Sequence, residues 1–325
     1  MSGNTGLVNL GNTCFLNSAL QCLSHTLCIP YGDNIKDESS LLFEWYNLRN
    51  LMWKQDCTIS PKRFLYVLQM IAKKKKKVLF TGYAQNDLPE FLLFILDEFH
   101  ETMKKSDSTM TCSLVAKKSD EKHVKEALKG VMKHHKDDYS LIKKIFFGHS
   151  LTRIYGVNNN NVLSCVCEPF MMLDVPIPAM KTISIEDCLK EYCKKELLEG
   201  DNKWYNEETK EKENAHKEVL FYDLPEILII TLKRFSSHIK KNNVYVDFDL
   251  NTLDMSPFTV HDTSSLYTLY GICNHSGGIL GGHYTSFVKK EDGKWFHFND
   301  THVSKVVHEK DLKSSKSYCF FYKKK

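Results

Sequence analysis

The feature that most constrains this chain is a change of texture near residue 145. Before it, apolar residues recur at helical spacing; after it, they come in short, strand-length blocks. Cys14–His25, Pro61–Ala72 and Leu88–His100 read as buried helices, with Phe15, Ala19, Cys22 and Leu23 on one face of the first. Glu121–Lys133 reads as a more charged helix. Leu151–Val157, Val162–Cys167 and Met171–Val175 then read as strands, with Asn158–Asn161 as a turn. Ser184–Asp187 has the form of a capping box opening a helix over Ile185–Leu197. Residues 199–217 read as a polar loop and Ile227–Leu232 as a buried strand. His283–Val288 and Trp295–Phe298 read as a hairpin around Glu291-Asp292-Gly293. Helices first and strands second exclude a doubly wound sheet and predict an α+β fold.

Composition narrows the function classes. Of 325 residues, 42% are hydrophobic and 26% charged, which suits a folded globular chain. No apolar run approaches the ~18 residues of a membrane span, so no membrane partner is expected. The net charge is only +4, and Arg49, Arg63, Arg153 and Arg234 are the only arginines beside 40 lysines. Base and phosphate readers favour the guanidinium fork, so nucleic acid is not expected as the primary partner. The run Lys73–Lys77 reads as a solvated loop, with a nuclear-localisation signal as the minority reading. An odd count of 11 cysteines predicts reduced thiols, and Met1–Asn9 lacks the basic and apolar regions of a signal peptide. Together they predict an intracellular chain, cytoplasmic or nuclear.

Two residues stand out chemically. Cys14 follows the N-cap candidates Asn12 and Thr13 and opens a helix, where the positive end of the dipole is expected to lower its pKa. Cys22 and Cys28 fit the buried, inert role better. His283 follows Gly281-Gly282, where missing side chains let a substrate backbone come close. If residues 289–293 form the hairpin loop, His283 lies opposite Asn299; a two-residue Asp-Gly turn would shift that register. An Asn299 amide oxygen could hold the imidazole tautomer, and the adjacent Asp300 could supply a charge instead.

These residues lie in longer motifs. The segment Gly6-Leu7-Val8-Asn9-Leu10-Gly11-Asn12-Thr13-Cys14-Phe15-Leu16-Asn17-Ser18, with Leu20-Gln21, resembles the cysteine box of the ubiquitin-specific proteases. Asn274-His275-Ser276-Gly277-Gly278, Gly281-Gly282-His283-Tyr284 and Trp295 through Asp300 resemble their histidine box. Gln85-Asn86-Asp87-Leu88-Pro89-Glu90-Phe91, Glu168-Pro169-Phe170 and Leu232-Lys233-Arg234-Phe235 match further landmarks in the family's order.

The resemblance implies a papain-like catalytic core over residues 1–325, with a helical thumb to about 145, fingers within about 146–235, and mainly palm beyond. It implies hydrolysis of the bond after the C-terminal glycine of ubiquitin, without a cofactor. Cys14 would be the nucleophile, His283 the base, Asn299 the third member, Asp300 a supporting residue and Asn9 the oxyanion stabiliser. Gly281 and Gly282 would line a narrow channel for the ubiquitin tail, and Ser276–Leu280 would be a mobile loop over it. Asp87 and Glu90, three apart on one helix face, are expected to pair with tail arginines; Gln85 and Tyr284 join them as substrate-binding candidates.

Where many members carry two CxxC pairs for zinc, this chain has Arg153, Gly156, Asn206 and Thr209, so no structural zinc is expected. Cys165 and Cys167, or Cys188 and Cys193, lack the spacing to replace those pairs. The expected state is a monomeric, nearly bare catalytic core acting on ubiquitin and ubiquitinated proteins. Two competing readings are an inactive ubiquitin-binding scaffold and a protease for another ubiquitin-like modifier.

Overall fold

The computed structural model describes residues 3–26, 38–82, 84–104, 116–117, 121–135, 138–159, 161–235, 240–261, 264–278 and 281–325. Cys28, Asn160 and the last two residues of the loop expected at Ser276–Leu280 lie outside the described residues.

The first half contains β1 (Gly6–Leu7), α1 (Cys14–Ser24), α2 (Leu41–Lys54), β2 (Thr58–Ile59), α3 (Lys62–Lys74), α4 (Leu88–Lys104), α5 (Lys122–His135) and α6 (Leu141–Phe146). The second contains β3 (Gly148–Gly156), β4 (Val162–Phe170), β5 (Leu173–Val175), α7 (Ile185–Cys193), β6 (Glu196–Leu198), β7 (Trp204–Asn206), β8 (Glu211–Glu213), β9 (Ala215–Asp223) and β10 (Ile227–Leu232). After them come β11 (Leu253–Asp254), β12 (Leu266–Gly278), β13 (Gly281–Lys289), β14 (Trp295–Asn299), β15 (His302–Lys305) and β16 (Ser317–Lys324). The order of helices and strands is that of an α+β fold.

The large sheet has the order β15-β14-β13-β12-β16-β10-β5, with β11 on the end of β12. Its centre is covered on both faces, which explains why β10 is buried throughout and apolar at every position but Thr231. Strand alternation divides the side chains between two cores. Ile227, Ile229, Cys319 and Phe321 face the helices of the first half. Leu228, Ile230, Phe320 and Tyr322 face a second core with α7 and Phe248.

Helix α1 lies inside the first core, and every one of its residues is buried. Leu16, Leu20 and Leu23 are fully enclosed, each contributing about 1.5–3 kcal/mol of burial. Ser18 Oγ donates to the Thr285 carbonyl at 3.0 Å, tying α1 to β13. On β12, a Cβ at Gly271 would stand 3.1 Å from Cys22 Sγ, so glycine permits the close approach of helix and sheet.

The smaller sheet has the order β4-β3-β9-β6, and β7 and β8 form a separate two-stranded hairpin between β6 and β9 in the chain. It corrects two expectations. Residues 199–217 are not a loop but hold this hairpin and the start of β9. The helix expected to Leu197 ends at Cys193, because Lys194 is extended and Glu196–Leu198 pair with β9 instead. A tertiary strand pairing there overrides local helical pattern. The capping box itself forms: Ser184 Oγ accepts from Asp187 N–H, and Asp187 accepts from Ser184 N–H.

Candidate active site

The loop before α1 is wound by its own side chains. Gly11 and Asn12 both have positive φ, 97° and 55°, a conformation asparagine tolerates better than most residues. Asn9 Oδ1 sits inside the turn and accepts from the Gly11 and Thr13 N–H groups at 3.2 and 3.0 Å. Thr13 occupies the N-cap but gives α1 no side-chain cap. Its hydroxyl accepts from the Leu10 N–H at 2.8 Å instead. The expectation of a capped helix is therefore corrected. An uncapped N-terminus keeps its N–H groups available to an anion.

Cys14 begins that helix and is buried. Its thiol pKa is raised, not lowered: burial dominates, the Tyr284 backbone N–H opposes it, the Asp300 charge reinforces it, and the N–H groups of Phe15 and Cys14 oppose it further. The N–H groups at the helix start do favour the thiolate, but desolvation is the larger effect.

Strand β13 brings His283 next to this point, since Tyr284, the neighbour that supplies an N–H to Cys14, follows it directly. His283 Nε2 lies 2.6 Å from Asn299 Oδ1. With an amide oxygen accepting at Nε2, the proton sits there and Nδ1 keeps its lone pair. The expected register was shifted by two. Ser286 pairs with Phe298 and Lys289 with Trp295, so His283 is not directly opposite Asn299. An even shift keeps both side chains on one face of the sheet, and the diagonal neighbours still reach each other.

Asp300 has φ 50° and turns away from His283. Its carboxylate accepts from Asn9 Nδ2 at 3.0 Å and Asn17 Nδ2 at 2.8 Å. It fastens the cysteine loop to the end of β14. Asn17 was not singled out from sequence, although it stands three residues from Cys14 on the same helical face.

The substrate-binding candidates divide. Gln85 makes a two-way amide bond with Gly282: its Nε2 donates to the carbonyl at 3.0 Å, and its Oε1 accepts from the N–H at 2.9 Å. A Cβ on Gly282 would overlap His275 Nε2, whereas one on Gly281 would meet only Gln85 Oε1 at 3.9 Å. Asp87 precedes α4 and does not share a helix face with Glu90. Its carboxylate accepts from the Tyr284 and Tyr318 hydroxyls at 2.8 and 2.9 Å. Burial raises its pKa, against those two phenols and the Leu88 N–H. Glu90 is exposed in the first turn of α4.

A cavity of about 270 Å³ joins these elements, lined among others by Cys14, Gln85, Asp87, Phe235, His275 and Tyr284. His275 is buried between Phe235, Tyr284 and Tyr318, and burial brings its pKa down to about 4. Sequence motifs contained His275 and Phe235 but did not reveal that they form this wall. Tyr318 gave no signal, because it joins the site only through β16. A larger open cleft of about 1300 Å³, beside α2 and α3, contains none of the candidate residues.

Among the described residues, His100, Glu101 and Asp138 converge closely enough to hold a metal ion. Lysine ammonium groups already neutralise them: Lys104 bonds Glu101 and Asp138, and Lys143 bonds Asp138. At the finger positions, Arg153 pairs across strands with Cys165, and Asn206 and Thr209 both donate to Glu213 Oε1.

The family model for ubiquitin carboxyl-terminal hydrolase matches residues 5–322. The chain belongs to that family. Similar proteins include ubiquitin carboxyl-terminal hydrolase Usp2 of Drosophila melanogaster, 32% identical over 337 residues, covering 99% of this chain and 35% of that protein. Human ubiquitin carboxyl-terminal hydrolase 2 is 31% identical over 345 residues, covering 98% of this chain and 55% of its own length. The chain thus spans between about a third and just over half of these relatives. Among solved structures, the SAGA DUB module of Ubp8, Sgf11, Sus1 and Sgf73 bound to monoubiquitin matches with TM-score 0.76 and 24% identity. That match covers 99% of this chain and 69% of the other, and bears on the fold.

Proposed function

We propose that this chain is a thiol-dependent deubiquitinase, hydrolysing the isopeptide or peptide bond after the C-terminal glycine of ubiquitin. The observation that carries this reading is the 2.6 Å bond from His283 to Asn299, next to Cys14 at an uncapped helix N-terminus. Residues 1–325 act as one catalytic unit, the helices to about 145 as thumb, the smaller sheet as fingers and the large sheet as palm. Ubiquitin and ubiquitinated proteins are its partners, and it works as a monomer inside the cell, in the cytoplasm or nucleus.

In this mechanism His283 Nδ1 takes the proton from Cys14. The thiolate attacks the terminal glycine carbonyl, and the electron pair moves onto its oxygen. The Cys14 N–H and the Asn9 amide bind that oxyanion. Asn9 Nδ2 carries two hydrogens, so its bond to Asp300 leaves one for this task. His283 then protonates the departing lysine amine, and water releases the thioester with His283 as base. The raised thiol pKa makes proton transfer to His283 part of the work, because little thiolate exists beforehand.

The test is ubiquitin carrying a thiol-reactive electrophile at its C-terminus. Intact mass should show one adduct per chain, peptide mapping should place it on Cys14, and Cys14→Ala should show none. A folded chain that forms no adduct with ubiquitin but forms one with another modifier would change the substrate. Tight ubiquitin binding without any adduct would make the chain a scaffold.

A further inference from the structure

The run Lys73–Lys77 is solvent-exposed, as the sequence suggests, but it is only in part a loop. Lys73 and Lys74 are the last two residues of α3, and the rest closes that helix. The Lys77 N–H reaches the Ala72 carbonyl at 2.9 Å and the Lys76 N–H the Lys73 carbonyl at 3.1 Å. That double closure puts Lys76 in the left-handed conformation, φ 55°. Glycine occupies this position most readily, because a side chain is strained there. A lysine stands where glycine would make the turn more stable.

The next residues project. Val78 is 81% exposed and Leu79 52%, in a short 3₁₀ turn. Phe80 anchors the turn from below, stacked on Phe94 at 5.1 Å and edge-on to Phe91. Met70 and Tyr66, 51% and 62% exposed, lie one and two turns back on the outer face of α3. Lys75 pairs with Glu98, but Lys73, Lys74, Lys76 and Lys77 make no ion pair among the described residues. Lys73 and Lys74 also suit the negative end of the helix dipole; Lys76 and Lys77 lie beyond it.

We propose that this corner of the molecule docks on an anionic lipid surface. Apolar side chains on a convex, anchored turn can enter the headgroup boundary while flanking ammonium groups stay at its charged face. A nucleic acid would use the lysines but leave Val78 and Leu79 without a role. An acidic peptide would need a groove, and the high exposure of Val78 marks a protrusion. The expectation of no membrane partner came from the lack of a spanning segment; peripheral docking needs none. Gln85 is five steps along the chain from Phe80, a reach of at most about 18 Å. Docking here therefore keeps Gln85, in the cavity wall, within that reach of the anchoring Phe80.

Sedimentation of the whole chain with vesicles tests this. It should pellet with phosphatidylcholine vesicles containing phosphatidylserine, not with phosphatidylcholine alone, and be released by salt. Lys76→Gly should raise Tm by relieving the strained turn, yet weaken vesicle partitioning about fivefold. Removing both Lys76 and Lys77 charges as glutamines should weaken it about 25-fold. Val78→Ser with Leu79→Ser should also weaken it, with cleavage of a soluble ubiquitin substrate unchanged. No pelleting at low salt overturns the proposal. So does binding that survives the lysine and the apolar substitutions. Tighter binding to an RNA duplex or an acidic peptide, indifferent to Val78 and Leu79, overturns it in favour of that partner.

Discussion

Asn9 and Asp300, 291 residues apart in sequence, are joined by a 3.0 Å hydrogen bond between the Asn9 amide and the Asp300 carboxylate. The bond divides the work of two adjacent residues. Asn299 addresses the imidazole of His283, and Asp300 addresses the loop that leads to Cys14. Asp300 is a positioning residue in this arrangement, acting through Asn9 and Asn17.

Asn299→Ala is expected to lower kcat/KM about 10²-fold, because His283 loses the acceptor that fixes its tautomer and ring orientation. Asp300→Ala should cost less, since the Cys14 N–H still binds the oxyanion when Asn9 is loosened. Steady-state kinetics on a ubiquitin substrate with a fluorogenic C-terminal amide would compare the two. The opposite order would make Asp300 the partner of His283 during turnover.

Asp300 also acts on the thiol by charge. It is one of the groups that raise the Cys14 pKa, after burial. Removing a negative charge near a thiolate favours the thiolate, so Asp300→Asn should lower that pKa. The pH profile of Cys14 alkylation by iodoacetamide should move to lower pH in the variant. A profile that stays in place would mean that the carboxylate is screened from the sulfur.

The two glycines before His283 should respond differently to one methyl group. Gly282→Ala forces its Cβ into His275 and towards the Ser276 carbonyl at 2.7 Å, so the end of β13 must shift and activity should fall by orders of magnitude. Gly281→Ala meets only Gln85 Oε1 at 3.9 Å and should leave Tm unchanged. Any loss in Gly281→Ala should then appear in KM, as expected of a channel wall. Equal losses in both variants would point to a backbone requirement shared by the pair.

What sequence made legible follows from how local each feature is. The helix of Cys14, the strand of His283 and the capping box at Ser184 rest on spacing over a few residues, and they stand where spacing put them. The hairpin register missed by two because a turn's residues do not fix which of several loop lengths forms. Residues 204–213 looked like loop because a small two-stranded hairpin exposes most of its side chains and shows no apolar alternation. From sequence, Asp87 is expected on a helix face, pairing with tail arginines. Its two partners, Tyr284 and Tyr318, lie 197 and 231 residues away, and only the assembled sheet brings them to it. The raised thiol pKa of Cys14 is not legible locally for the same reason, since burial is a property of the whole fold.

Stability should fall in mild acid. Burial lowers the pKa of His25 and of His275 from 6.5 to about 4. Unfolded, each takes up a proton near 6.5; folded, each resists it until about 4. Between those values the unfolded state binds more protons, so the stability present above pH 6.5 is lost as pH falls towards 4. Tm measured across that window should decline, and His25→Gln should flatten the decline. An unchanged slope in the variant would assign the acid sensitivity to other groups.

The fingertip should depend on a polar network in place of a metal. Asn206 Oδ1 accepts from the Glu208 N–H at 2.9 Å, and its Nδ2 donates to Glu213 at 2.8 Å. Thr209 Oγ1 donates to the same carboxylate oxygen at 2.7 Å, which closes the turn between β7 and β8. Asn206 is buried, so Asn206→Ala removes its bonds to the Glu208 N–H and Glu213 and weakens the hairpin by about 1–2 kcal/mol. Hydrogen exchange should show faster opening at Glu208 and Glu213, with the Cys14 helix unaffected. A strong chelator should leave both Tm and exchange at the fingertip unchanged. A chelator-induced fall in Tm would mean that a bound metal, and not this network, holds the fingers.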